Sequence, residues 1–267
     1  MKCACVCMLL WLLCAGLQAQ DLFDRSSAAA GAWSHNFLNP EAALINPAAL
    51  AAEADLVLRI VTTKPYMIPG LSASRISALS SIMKNISIAA GISNLANPDF
   101  REMKFYLASG RKLGEDYCVG ISLDVLNSKA RGYAGLKNYR ALASVARNVN
   151  TLQTAISVFF ESNETKSSNF YPGVIAGIGK EWAPSFYTDL ALMISARTQV
   201  VNTSLQYMAM SKLLLAIRVI SDPMRLDFES GWIYQKLRLS VLGGWHPQLG
   251  WSPGFALQYS PALKELR

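Results

Sequence analysis

From Asp55 onward the chain alternates between apolar and polar residues with period two. In the segment that starts at Asp116, Tyr117, Val119, Ile121, Leu123 and Val125 share one face, while Cys118, Gly120, Ser122 and Asp124 share the other. This is the pattern of a strand with one apolar side. It recurs from Leu152, where Leu152, Ile156, Val158 and Phe160 oppose Gln153, Ala155, Ser157 and Glu161. It recurs again in Leu190, Leu192, Ile194 and Ala196 against Asp189, Ala191, Ser195 and Arg197, and in Leu213, Leu215, Ile217 and Val219 against Lys212, Ala216 and Arg218. The clearest pair is last. Leu226, Phe228, Trp232 and Tyr234 oppose Arg225, Asp227, Glu229 and Gln235; then Leu237, Leu239, Val241 and Trp245 oppose Lys236, Arg238, Ser240 and His246. A tight hairpin at Gln235-Lys236 joins the two.

Weaker segments lie near 56–60, 86–92, 103–107, 139–145, 174–178 and 255–259, and the Ser- and Ala-rich stretch from Ser72 to Ile82 reads as strand or loop. Turn signals such as Asn97-Pro98-Asp99 and Ser221-Asp222-Pro223 punctuate them. These segments predict about twelve strands, in a range of roughly ten to fourteen, each near the ~9–11 residues that a tilted membrane strand needs.

What occupies the polar face decides between two β architectures. A soluble sandwich carries Lys, Glu, Thr and Gln there, whereas this face holds Gly, Ala and Ser with scattered charges of both signs. Such a mixture suits a crowded barrel lumen. Tyr117, Phe160, Tyr187, Trp232, Tyr234, Trp245, Trp251, Phe255 and Tyr259 fall mostly near segment ends, where aromatic girdles meet the two membrane interfaces. The expected fold is an all-β transmembrane antiparallel barrel, with a soluble periplasmic β protein as the alternative.

Ahead of the strands lies one helical-looking island, Asn39-Pro40-Glu41-Ala42-Ala43-Leu44-Ile45-Asn46-Pro47-Ala48-Ala49-Leu50. An Asn followed by Pro, twice, reads as a cap with Pro at the first helical position. Asn39, Pro40, Asn46, Pro47 and Ala48 are therefore the expected plug motif, a short helical segment filling the barrel. The expected organisation is a signal peptide at 1–19, a plug segment at 20–53, the barrel at 54–260 and a tail at 261–267.

Composition adds to this. Met1-Lys2, the apolar run Val6 to Leu17 and the ending Leu17-Gln18-Ala19 fit an export signal. Leu13 before Cys14 argues against lipoprotein processing. Of the five cysteines only Cys118 lies beyond that segment, so neither a disulfide framework nor a cysteine metal site is expected. The formal net charge is +7, of which the first nineteen residues contribute only Lys2. The basic residues are spread singly through apolar segments, which argues against nucleic acid as a partner. On the lumen parity Arg140, Arg197, Arg218, Arg225, Arg238, Asp189, Asp227 and Glu229 are candidate lining residues, with Arg59, Lys104, Glu102, Asp124 and Glu161 beside them. They suit either an anionic-ligand path or a set of ion pairs that stiffens a narrow barrel.

No cofactor is expected. The two histidines, His35 and His246, have no carboxylates at metal-ligand spacing. Ser240 and His246 share a face and suit a lipid hydrolase in principle, but no oxyanion-hole motif accompanies them, and the chain reads as a non-enzyme. Gly173, Gly177 and Gly179 lie inside a strand pattern, where close packing against an inserted plug is the better reading than phosphate binding.

The run Ala28-Ala29-Ala30-Gly31-Ala32-Trp33, then Pro40-Glu41-Ala42-Ala43, then Asn46-Pro47-Ala48-Ala49-Leu50 resembles the N-terminal signature of outer-membrane barrels of the FadL and PorV/PorQ type. The resemblance implies an N-terminal hatch in the lumen and a place in the outer membrane of a diderm bacterium. On the FadL side it implies transport or binding of small hydrophobic molecules such as long-chain fatty acids. On the PorV/PorQ side it implies a non-conducting scaffold or secretion accessory with an envelope protein partner. Outer-membrane lipid is the expected surrounding in both.

Overall fold

Fourteen strands follow one another along the chain: β1 (Val57–Thr63), β2 (Ser72–Met83), β3 (Ile86–Ala96), β4 (Phe100–Leu113), β5 (Tyr117–Ala130), β6 (Leu136–Val149), β7 (Leu152–Asn163), β8 (Phe170–Ala183), β9 (Phe186–Ser195), β10 (Gln199–Ala209), β11 (Leu213–Ser221), β12 (Met224–Tyr234), β13 (Leu237–His246) and β14 (Gly250–Tyr259). The computed structural model describes residues 31–34, 37, 39–51, 56–163, 170–196 and 198–261. Each strand pairs antiparallel with the next, and β1 pairs with β14 through Leu58 opposite Tyr259 and Thr63 opposite Gly254, so the sheet closes into a barrel.

The sheet has no free edge, and its two faces carry opposite chemistry. On β5, Ile121 and Leu123 are 62% and 60% exposed while Ser122 and Asp124 between them are 2% and 5% exposed. The same order holds on β13, where Leu239 and Val241 point out and Arg238 and Ser240 point in. The outer wall is a continuous apolar surface far larger than the few hundred Å² that a soluble monomer exposes. Closure satisfies every ladder hydrogen bond internally, as a bilayer demands. The expectation of a soluble β protein fails on this wall.

The strand number is fourteen and not about twelve. The two additional strands are β2 and β10. On β2 the outward residues are small, with Ser72, Ser74, Ala78 and Ser80 among them, so the apolar stripe is faint; on β10, Val200 and Met208 point inward among Asn202, Ser204 and Gln206, which blurs the parity.

The chain enters β1 and leaves β14 at the same end, here the terminal end, where the turns 84–85, 114–116, 150–151, 184–185, 210–212 and 235–236 also lie. At the opposite, loop end, 64–71 is the longest of the fully described connections, ahead of 131–135, 97–99, 247–249 and 222–223.

The segment before β1 runs inside the barrel, with every residue from 39 to 51 buried. It is not the expected helix but two 3-10 turns, Pro40–Leu44 and Pro47–Ala51. Pro47 has no N–H to continue a helical ladder, and its ring pushes Asn46 out of the helical region. The first turn is capped as expected, since the Asn39 side chain accepts from the Glu41 and Ala42 N–H groups at 2.8 and 3.1 Å. Asn46 serves otherwise, its amide donating to the Ala32 carbonyl at 2.7 Å. The expected signal peptide, Ala28 to Ala30, His35, Arg197 and all but the first residue of the expected tail lie outside the described residues.

Candidate functional site

The lumen divides into two halves. In the terminal half the second 3-10 turn is pressed onto β4, β5 and β6. A Cβ at Gly120 would stand inside the backbone of Pro47 and Ala48, and one at Gly110 would lie 2.7 Å from the Ala51 nitrogen. Two glycines on facing strands thus make a slot that only bare backbone leaves open. Hydroxyls hold the segment in it. The Ala48 N–H donates to Ser144 Oγ at 2.7 Å, and Ser157 Oγ donates to the Ile45 carbonyl at 2.8 Å. Further along the wall, Gly177 and Gly179 face the Trp33 ring and carbonyl, and Gly173 faces the Phe159 ring.

Ion pairs continue the attachment. Arg140 Nε donates to Asp124 Oδ1 at 2.8 Å, its Nη2 donates to the Leu44 carbonyl at 2.9 Å, and its guanidinium lies 5.9 Å from the centre of the Phe159 ring. Lys104 Nζ lies 3.8 Å from the other oxygen of Asp124. Glu41, 1% exposed, projects from the segment to Arg75 at 2.9 Å and stands 4.0 Å from Arg59.

Glu41 is also the floor of the other half. Above it, toward the loop end, lies a cavity. Its wall mixes Val61, Leu95 and Leu242 with Arg59, Arg75, Arg218, Arg225, Asp227 and Glu229. Arg59 bridges to Glu229 at 3.1 Å, Ser240 Oγ donates to the same carboxylate at 2.7 Å, and Arg238 stands 3.6 Å from it. Gln258 joins the group by accepting from Arg238 at 2.7 Å. Arg225 Nε donates to Asp227 Oδ1 at 2.6 Å, with Arg218 3.8 Å from the other oxygen. Near the mouth, Tyr66 is tied to the Ser252 hydroxyl at 2.8 Å and meets the His246 ring edge-on at 5.7 Å.

The expected lining residues therefore fall into groups. Arg218, Arg225 and Asp227 meet, Arg238 and Glu229 meet, and Arg140 lies apart with Asp124. Asp189 is on the inner wall, accepting from Ser204 Oγ at 2.7 Å. Arg75 and Glu41 were not anticipated as partners, because 34 residues and a change of element separate them. Tyr187, expected in a girdle, is buried in the lumen and stacked on Phe37 at 5.8 Å between ring centres. It shares the parity of Asp189, and that signal outranks its place near a strand end. Ser240 and His246 are six residues apart on one extended strand, about 20 Å. Ser240 engages Glu229, while His246 Nδ1 accepts from the Gln248 and Leu249 N–H groups at 3.1 and 3.2 Å. The pair is no catalytic dyad.

No protein-family model matches the chain, and no curated protein matches it in sequence. Solved structures do match. The CymD monoaromatic hydrocarbon channel superimposes with a TM-score of 0.61 at 9% identity, over 89% of this chain and 96% of that one. The Pseudomonas putida toluene transporter TodX gives 0.58 at 8% identity, over 87% and 95%. The likeness is one of fold, a closed antiparallel barrel. A FadL homologue of Pseudomonas aeruginosa gives the same score of 0.58 at 7% identity, over 87% of this chain and 96% of that one.

Proposed function

We propose that this chain is an outer-membrane channel of a diderm bacterium that binds and passes small hydrophobic molecules, among them long-chain fatty acids. The observation that carries the reading is the divided lumen: a cavity lined by loop-half residues of the wall, above an inserted segment that fills the terminal end. The barrels it resembles in fold include ones described as a monoaromatic hydrocarbon channel and a toluene transporter. The cavity wall combines aliphatic side chains with arginines, a chemistry that accepts an apolar body and an acidic head group. The inserted segment acts as the gate: passage requires it to shift out of the Gly110 and Gly120 slot.

Uptake of a labelled long-chain fatty acid and of a monoaromatic hydrocarbon into vesicles containing the purified chain tests this. Uptake above that of protein-free vesicles is expected. Absence of both uptake and ionic conductance overturns the channel and leaves the scaffold or secretion-accessory reading, which crosslinking to a protein partner in the native membrane then supports.

A further inference from the structure

The outer wall is apolar around β11–β14, β1 and β2, where no outward position carries a charge. On β4, β5 and β6 it differs. Outward positions there include Arg101, Arg111, Lys129, Lys137 and Arg147, while the acidic residues of these strands, Glu102 and Asp124, have the inward parity. The five cations lie near the two rims with an apolar band between them, formed by Met103, Phe105, Leu107, Ile121, Leu123, Val125 and Val145. Arg101 and Arg111 are ten residues apart on β4, about 33 Å along the strand and about 25 Å in height at a tilt of roughly 40°, the thickness of a barrel's lipid-facing band.

The two rims treat their cations differently. At the terminal end Arg147 lies over the Tyr117 ring at 5.6 Å, and on β8 Lys180 lies over Trp182 at 3.9 Å. At the loop end Arg101 is directly opposite Lys129, and Lys137 is opposite Asn127, the next outward residue on β5. Like charges directly opposite one another are unfavourable across a ladder. None of these three has a carboxylate partner among the described residues, and the only fixed neighbour is Asn94, whose Oδ1 accepts from Arg101 Nε at 3.1 Å. The nearby Asp99 is paired with Arg131 at 3.5 Å.

We propose that Arg101, Lys129 and Lys137 form a binding site on the outer wall for the headgroup of a lipid that carries two or more phosphates, in the leaflet at the loop end. Three exposed cations on adjacent strands span about 10 Å at a spacing of ~4.8 Å per strand, the reach of a compact bisphosphorylated headgroup. The acyl chains then lie on the Met103, Phe105 and Leu123 band immediately below. One multivalent anion relieves the repulsion between Arg101 and Lys129, which separate water-exposed counterions do only weakly. The site depends on the chain spanning a membrane and not on what its lumen carries.

The test uses the full chain in phosphatidylcholine nanodiscs containing a small fraction of bisphosphorylated lipid A, with bound lipid A read by native mass spectrometry. The wild type is expected to retain lipid A. The triple variant Arg101→Gln, Lys129→Gln, Lys137→Gln is expected to lose on the order of 100-fold in retention, at ~1 kcal/mol per basic side chain near a lipid surface. The variant Arg111→Gln, Arg147→Gln at the other rim is expected to match the wild type. Equal retention by the triple variant overturns the site, and so does an equal loss on changing the terminal rim. Displacement of the lipid by millimolar inorganic phosphate overturns it too, because the preference is then for free anion. If the triple variant does not fold, as an absent heat-dependent gel shift would reveal, Lys129→Gln alone is decisive, with retention expected to fall severalfold. Fatty-acid uptake is expected to be unchanged in all of these variants.

Discussion

The two halves of the lumen are built on the same inward parity but filled with different residues. Near the termini the inward positions of β4–β8 are small: Gly110, Gly120 and Ser157 lie against the inserted backbone, Gly177 lies against the Trp33 ring, and Ala146 and Ala155 are buried with the inserted alanines. Near the loops the inward positions of β1, β2 and β12 bring arginines and carboxylates together around open space. The difference shows that a polar lumen face serves two ends. Small residues let main chain approach main chain, whereas charged ones keep a wide region hydrated and rigid. Glu41 belongs to both halves, since it rises from the inserted segment and is bonded to the arginines of the cavity.

The largest expected effect comes from filling the slot. Gly120→Leu places a side chain where the Pro47–Ala51 turn lies. Backbone cannot yield as a side-chain tip does, so the segment is displaced at a cost above the ~1–3 kcal/mol of ordinary overpacking. The hydrogen-bonded wall is independent of the segment, and planar-bilayer recordings are expected to show a severalfold rise in conductance. Unchanged conductance would mean that the terminal half is not what closes the pore.

A smaller effect is expected at the boundary. Glu41→Gln leaves Arg75 without its buried carboxylate, and losing one partner of such a pair costs about 3–5 kcal/mol. Because the cost falls on the inserted segment, protease cleavage between residues 31 and 56 is expected to accelerate, while the barrel keeps its heat-dependent gel shift. Cleavage at the wild-type rate would show that the glycine slot alone holds the segment.

The smallest effect is expected in the open half. Asp227→Asn removes the charge that faces Arg225 and Arg218 in a wall that water reaches. Stability is expected to fall by less than for Glu41→Gln, because these side chains keep 11–14% of their surface exposed against 1% for Glu41, while reversal potentials in a salt gradient shift toward anions. A stability loss as large as that of Glu41→Gln would erase the distinction between the two halves.

Much of this was legible in the chain. Alternation along single segments such as 117–125 and 237–245 assigned the outward face correctly, and with it the barrel class. β2 and β10 were harder, because their outward or inward positions are too small or too mixed to register locally. Helical propensity misled at 40–51, where Pro47 divides a run of Ala and Leu into two short turns. Tyr187 misled in the other direction, since a girdle position and a lumen position differ by one residue.

Period two is a local property, so the sequence by itself determined which residues face lipid and which face inward, and hence a wall that spans a membrane. Closure is not local. Only the tertiary structure decided that fourteen strands complete the ring and that Arg59 meets Glu229 across 170 residues. It also decided that the inserted segment fills one half of the lumen and leaves the other open. Parity names the face of a residue, but the register summed around the whole barrel chooses its partner.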